Sequence, residues 1–194
     1  MKKTPCKLQR ISSLPTSAGA LPTRISLARN SGFTLIELLA VIAIIALLTT
    51  IVLGAVTSAR LKARDTERMD NLHQVAVSLE SYFNEHGGHY PTTEGNWWGT
   101  CAAYGSHDRS GPNGWVPDLA PDDIRILPLE GQQPTTATCY LYRSDGTDYK
   151  LLAHQTVEYD CPVNPKDALF DPVRDVAPYN ECTYQISTPG GAGW

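Results

Sequence analysis

One carboxylate stands inside an apolar run. Glu37 is the single charged residue in Phe33–Val56, FTLIELLAVIAIIALLTTIVLGAV. A carboxylate in such a segment is costly to desolvate and is usually kept for function. Two kinds of chemistry are open to it. It can pair with an amine, or it can accept hydrogen bonds at a helix start. Thr34-x-x-Glu37 fits a form of the capping box, with Ser31 or Thr34 as the cap. The second set of reactive groups is Cys101, Cys139, Cys161 and Cys182, all in the C-terminal half, with Cys6 apart from them. An even set in a domain that follows a targeting segment reads as disulfides in an oxidising compartment. Four cysteines allow three pairings. Cys101–Cys139 with Cys161–Cys182 is favoured, because sequence neighbours close smaller loops. No Cys-x-x-Cys pair occurs, which argues against zinc.

Other groups carry weaker signals. His86-Gly87-Gly88-His89 offers two imidazoles, but a helix terminus with incidental histidines explains them as well. Asp167, Asp171 and Asp175 lie in a loop and offer hard oxygen ligands of the kind calcium takes. Their spacing is not that of an EF-hand, so they are read as solvated turn residues and metal is left unassigned. Trp97, Trp98, Trp115 and Trp194 could stack on sugars or bases if exposed; packing under long loops is the preferred reading. Ser106-His107-Asp108 are neighbours in sequence, whereas triads are assembled in space. Neither a phosphate loop nor a Gly-x-Ser-x-Gly elbow is present. The chain is therefore not expected to be an enzyme, and no cofactor is expected.

The elements that must position Glu37 and the cysteines follow from patterning. Phe33–Val56 as a helix is about 36 Å long, enough to cross a hydrocarbon core with some tilt. It is too long, and lacks Ala-x-Ala, for a secretory signal. The helix is predicted to continue. From Thr57 to His86 there is no proline and no glycine. Met69, Leu72, Ala76, Leu79 and Phe83 recur at helical spacing, with Val75 and Tyr82 widening the stripe. Gly87-Gly88, with Pro91 soon after, is the expected stop. This gives one helix of about 54 residues, near 80 Å.

Residues 87–138 read as loop-rich, from the turn clusters YPTTEG, GSHDRSGPNG and PDLAPDD. A hairpin follows: CYLYRS, then Asp145-Gly146 as a tight type I′ turn, then TDYKLL. Tyr140, Tyr142, Tyr149 and Leu151 alternate and are expected on one sheet face. A third strand is expected at Thr183–Ser187, and 162–181 reads as a loop ordered by a Cys161–Cys182 bond.

Charge divides the chain. Residues 1–32 carry six Lys/Arg and no acid, whereas the rest carries ten Lys/Arg against twenty Asp/Glu. The basic segment reads as a targeting leader. Basic residues flank the apolar run on both sides, so their count does not decide orientation; the cysteines place the C-terminal part outside. Residues 87–194 hold six Lys/Arg and fourteen Asp/Glu, a net −8. That field repels nucleic acid, so no nucleic-acid partner is expected.

Ser31-Gly32-Phe33-Thr34-Leu35-Ile36-Glu37 resembles the prepilin peptidase site of type IV pilins and type II secretion pseudopilins. The resemblance implies cleavage between Gly32 and Phe33, N-methylation of Phe33, and an assembly role for Glu37, five residues into the mature chain. It covers the helix closely and the remainder loosely. Two features depart from the family pattern. The leader is long, and no proline interrupts the helix, leaving Gly54 as its soft point. Tyr90-Pro91-Thr92-Thr93-Glu94 looks like the stretch just past the helix in major pseudopilins. Asp171-Pro172, Tyr179 and Tyr184 loosely resemble the region after their calcium-associated loop.

The expected fold is α+β: a long N-terminal transmembrane and amphipathic helix packed on a small antiparallel sheet. The expected organisation is a leader at 1–32, a transmembrane half at 33–56, an amphipathic half at 57–88 and a disulfide-bonded β head at 89–194. What the resemblance implies for function is a structural filament subunit, with a type II secretion pseudopilin favoured. The alternatives are a surface pilus subunit or a minor pilin with an adhesive or sugar-binding head. The implied partners are the prepilin peptidase, homologous pilin or pseudopilin subunits and the lipid bilayer. The implied location is the inner membrane, single-pass, with the head outside and the filament in the periplasm or at the cell surface.

Overall fold

The structure, a computed structural model, describes residues 32–131, 136–178 and 180–194. The expected leader up to Ser31, with Cys6, and Tyr179 lie outside the described residues. The chain divides into two units, Met1–Ala43 and Ile44–Trp194.

One helix, α1, runs from Leu35 to Glu85. Thr34 starts it, its carbonyl accepting the Leu38 amide at 3.3 Å. The apolar stretch is exposed residue after residue, for example Leu39, Ile45 and Leu53 at 58, 56 and 62%. Among the described residues, α1 is the one helix long and apolar enough to cross a membrane. Its hydroxyls are spent internally: Thr49, Thr50 and Thr57 donate to the carbonyls of Ile45, Leu47 and Leu53 at 2.7, 2.7 and 3.0 Å. The side chains thus present methyl groups rather than unsatisfied hydroxyls. Helical backbone continues through Gly54.

In the second unit, α1 buries the stripe read from periodicity. Leu72, Val75 and Leu79 are fully buried, with Met69, Ala76, Tyr82 and Phe83 packed beside them. The helix ends as a Schellman motif. Gly87 has φ of 68°, and the Gly88 amide returns to the Phe83 carbonyl at 2.9 Å. A positive φ at that position favours glycine.

Four antiparallel strands form one sheet in sequence order: β1 Trp98–Gly99, β2 Cys139–Ser144, β3 Tyr149–His154 and β4 Tyr184–Ser187. Together with α1 they make an α+β fold. The register pairs Ser144 with Tyr149, Tyr142 with Leu151, and Leu151 with Ile186. Alternation sorts the side chains. Tyr140, Tyr142, Tyr149, Leu151, Ala153 and Tyr184 face α1 in the main core. Cys139, Leu141 and Leu152 form a smaller cluster with Cys101, covered by Trp97 and Tyr104.

Two local features differ from expectation. The turn after β2 has four residues, Asp145–Asp148, rather than two. Of these, Gly146 takes a positive φ, and the Asp145 carboxylate accepts the amides of Thr147 and Asp148 at 2.9 Å each. Side-chain capping replaces the double positive-φ geometry that a type I′ turn requires. Strand β1 was not anticipated, being two residues long and without a pattern of its own.

The loops are packed rather than loose. Trp115, Val116, Leu119 and Leu127 from the connection between β1 and β2 are fully buried in the main core. Disulfides join Cys101 to Cys139 and Cys161 to Cys182, with Cα separations of 5.7 and 5.1 Å. The first ties the long connection to the start of β2. The second closes the loop leading into β4.

Candidate functional site

The local fold at Glu37 begins with an extended lead-in. Gly32, Phe33 and Thr34 are non-helical and exposed, with Phe33 at 85%. Among the described residues, no group beyond its chain neighbour lies within 4 Å of where a side chain on Gly32 would begin. Among the described residues, the Gly32–Phe33 peptide bond therefore stands in exposed, non-helical backbone, two residues before α1.

Thr34 and Glu37 close a reciprocal capping box. The Thr34 amide and hydroxyl both donate to Glu37 Oε2 at 2.8 Å, and the Glu37 amide donates to the Thr34 hydroxyl at 3.3 Å. Two orphan amides of the first turn are thereby satisfied. Glu37 Oε1 accepts no hydrogen bond from the described residues. Capping and ion pairing are therefore compatible: one oxygen holds the helix start while the other is free to accept from an amine.

The remaining candidates are placed as follows. His86 stacks on Tyr82, with ring centroids 3.6 Å apart, and its Nδ1 lies 2.9 Å from the Tyr82 carbonyl; it is exposed at the helix end, as is His89 beyond it. His107 stacks on Trp98 instead of joining Ser106 and Asp108 in a triad. The three aspartates are engaged by protein groups. Asp167 caps the Leu169 amide, Asp171 accepts from Lys150 and Arg174, and Asp175 accepts the Thr183 amide. Among the described residues, no group of three His, Cys, Asp or Glu is gathered to hold a metal.

The tryptophans divide. Trp115 is fully buried, its Nε1 donating to the Pro128 carbonyl at 3.2 Å. Trp97, Trp98 and Trp194 are half-buried, and their rings are approached by Arg143, Arg174 and His107.

Two charged clusters escaped sequence reasoning. Arg68, 3% exposed, donates to Asp65, Glu130 and Glu158 at 2.7, 2.8 and 2.9 Å, and Arg64 also pairs with Glu158. Asp65 in turn accepts the backbone amides of Glu158 and Tyr159. Lys150, on the sheet face away from α1, is fully buried and donates to Asp171 at 3.0 Å and to the backbone oxygens of Ala192 and Trp194. The only advance signal was Arg68 and Asp65, which stand one and two turns before Leu72 on the buried stripe. Their distant partners left none.

Residues 27–53 match the prokaryotic N-terminal methylation motif, the signature of type IV pilins and pseudopilins. Neither a curated protein nor a solved structure matches the chain.

Proposed function

We propose that the chain is a type IV pilin-like structural subunit, cut between Gly32 and Phe33 by a prepilin peptidase, N-methylated at Phe33, and polymerised through α1. The methylation motif supports the pilin-like class. The observation that carries the assembly mechanism is the divided carboxylate of Glu37, with Oε2 held by Thr34 and Oε1 unengaged among the described residues. Cleavage creates a positive amine at Phe33, next to an apolar segment that solvates it poorly. A neighbouring subunit's amine on Glu37 would satisfy both charges and set the axial stagger, a register role for a buried ion pair. The exposed apolar half of α1 is to be covered by lipid before assembly and by neighbouring helices after it.

Within that class we favour a type II secretion pseudopilin anchored in the inner membrane, with residues 89–194 outside. The support is the Tyr90–Glu94 stretch, which is built into the fold. Tyr142 donates its hydroxyl to the Pro91 carbonyl at 2.7 Å, and Thr93 pairs with the Ser144 backbone. An adhesive head reading the tryptophans gains no support, because Trp115 is buried and arginine or histidine lies against the other three.

The test is the mass of the N-terminal peptide from membranes and from sheared surface material of native cells. Methylated Phe33 found only in membranes supports the pseudopilin. The same peptide in the sheared fraction makes the chain a surface pilus subunit. An uncut terminus ends the pilin reading.

A further inference from the structure

Half of the basic residues in 87–194 lie together. Of Arg109, Arg125, Arg143, Lys150, Lys166 and Arg174, three gather on the sheet face turned away from α1. Arg143 and Lys150 are direct cross-strand partners there. Lys150 is neutralised by Asp171 at 3.0 Å, and Arg174 shares Asp171 and approaches Glu181 at 3.9 Å. Arg143 forms no ion pair with the described residues, and its Nε is buried without a hydrogen-bond partner. Its guanidinium lies 5.8 Å from the Trp97 ring centre and 4.8 Å from that of Trp194. The indoles hold a cation in place while leaving its fork of donors unused, and an arginine fork suits a carboxylate.

The complementary surface lies on the other side of the sheet. Glu85, Asp118, Asp122 and Asp123 line an open cleft of about 500 Å³ beside the C-terminal end of α1. None of the four forms an ion pair with the described residues. The loop that carries the three aspartates packs into the α1-facing core through Leu119 and Ala120, whereas Arg143 projects from the opposite face. One copy therefore cannot bring the two patches together.

We propose that the Arg143 face docks on the Glu85, Asp118, Asp122 and Asp123 cleft of a second copy of this chain. Two different patches on opposite faces make a heterologous contact, which propagates into a ring or a filament rather than closing a dimer. It also relieves a repulsion, since copies with a net −8 over residues 87–194 otherwise resist stacking. A carbohydrate occupant is disfavoured because guanidinium groups already lie against Trp97 and Trp194. The inference rests on the filament reading above and adds the contact between the folded units.

The experiment uses the full chain in its native cells, with chemical cross-linking read as a ladder. Arg143→Glu is expected to lower the ladder at least about tenfold, and adding Asp122→Arg with Asp123→Arg in the same chain is expected to restore it, as charge reversal at a real contact should. No fall with Arg143→Glu, or no rescue, overturns the contact. If wild type gives no ladder, the filament reading itself falls and takes this contact with it. Should Arg143→Glu fail to fold, co-expressed Arg143→Cys and Asp122→Cys copies must give a mixed disulfide dimer; its absence is equally fatal. Retention of wild type on immobilised polygalacturonate, lost in Arg143→Gln while the ladder is unchanged, would make an acidic polysaccharide the occupant and overturn the second-copy proposal.

Discussion

Arg68 of α1 meets Glu130, 62 positions further along the chain, through both Nε and Nη2, with the closest contact 2.8 Å. Both side chains are almost fully buried, at 3 and 2% exposure. A guanidinium at one end of the buried helical stripe thus fastens a loop that has no regular structure of its own. Removing one partner from such a pair leaves an uncompensated buried charge. Arg68→Ala should destabilise the fold by about 3–5 kcal/mol. Chemical unfolding of the detergent-solubilised chain measures it, and Arg68→Lys, which keeps the charge but loses the fork, should fall between.

The same network predicts an acid limb. A hydrogen bond from Arg64 holds the Glu158 carboxyl below the usual range, against the opposing pull of burial and with help from Arg68. A lowered folded-state value means that the unfolded chain takes up the proton first. This contribution to stability is therefore complete above the unfolded value of about 4.3 and is lost as pH falls through the folded one. Burial pushes Asp175 the other way in the same range, so the comparison must be between variants. Glu158→Gln should flatten the fall in unfolding free energy below about pH 4.3 relative to wild type.

Position along α1 decides the cost of apolar truncation. Leu79 is fully buried and Val77, two residues earlier, is 71% exposed. Leu79→Ala should cost about 2–5 kcal/mol in unfolding measurements. Val77→Ala should stay within about 0.5 kcal/mol. Equal costs would mean that the helix presents a different face to the sheet.

Each disulfide closes a loop, of 38 and 21 residues in sequence separation. On the chain-entropy account, losing either should cost about 3–4 kcal/mol. Double serine variants of each pair, compared with wild type by unfolding without reductant, give the value. A negligible change for Cys161→Ser/Cys182→Ser would show that the loop into β4 is held by its hydrogen bonds, those of Asp171 and Asp175 among them.

Glu37→Ala should leave the Gly32–Phe33 cut largely intact and lower filament yield at least about tenfold, the scale of losing one partner from a desolvated charge pair. Mass spectrometry reads the cut and sheared or cross-linked material reads the yield. Normal filaments from this variant would refute the register role.

Much of this was legible in the sequence, for physical reasons that differ by element. The helix could be read almost to its ends because its signals are local: Thr34 and Glu37 at one end, Gly87 and Gly88 at the other, Leu72 to Phe83 between. Strands β2, β3 and β4 announced themselves through alternation around Tyr140, Tyr142, Tyr149 and Tyr184. Strand β1 did not, because Trp98 and Gly99 are a strand only by virtue of pairing with Tyr142 and Leu141. The turn was misjudged because Asp145-Gly146 specifies a reversal without specifying its length, and the Asp145 carboxylate decided that. Trp115 and Leu119 looked like loop residues because their apolar partners lie far away in sequence. The Arg68 and Lys150 clusters were hidden for the same reason: a charge on a helix or strand reads as solvated until its partner arrives from elsewhere.

The inward-turned hydroxyls of Thr49, Thr50 and Thr57 have a consequence for how such helices find one another. With those groups satisfied along their own axis, the apolar cylinder has almost no azimuthal or axial landmark. Two of them in a bilayer can spin and slide past each other over a nearly flat landscape. Glu37, the one charged residue in Phe33–Val56, would then be the single notch on a smooth shaft. On the register role proposed for Glu37, neighbours would search quickly and stop only where that notch is engaged.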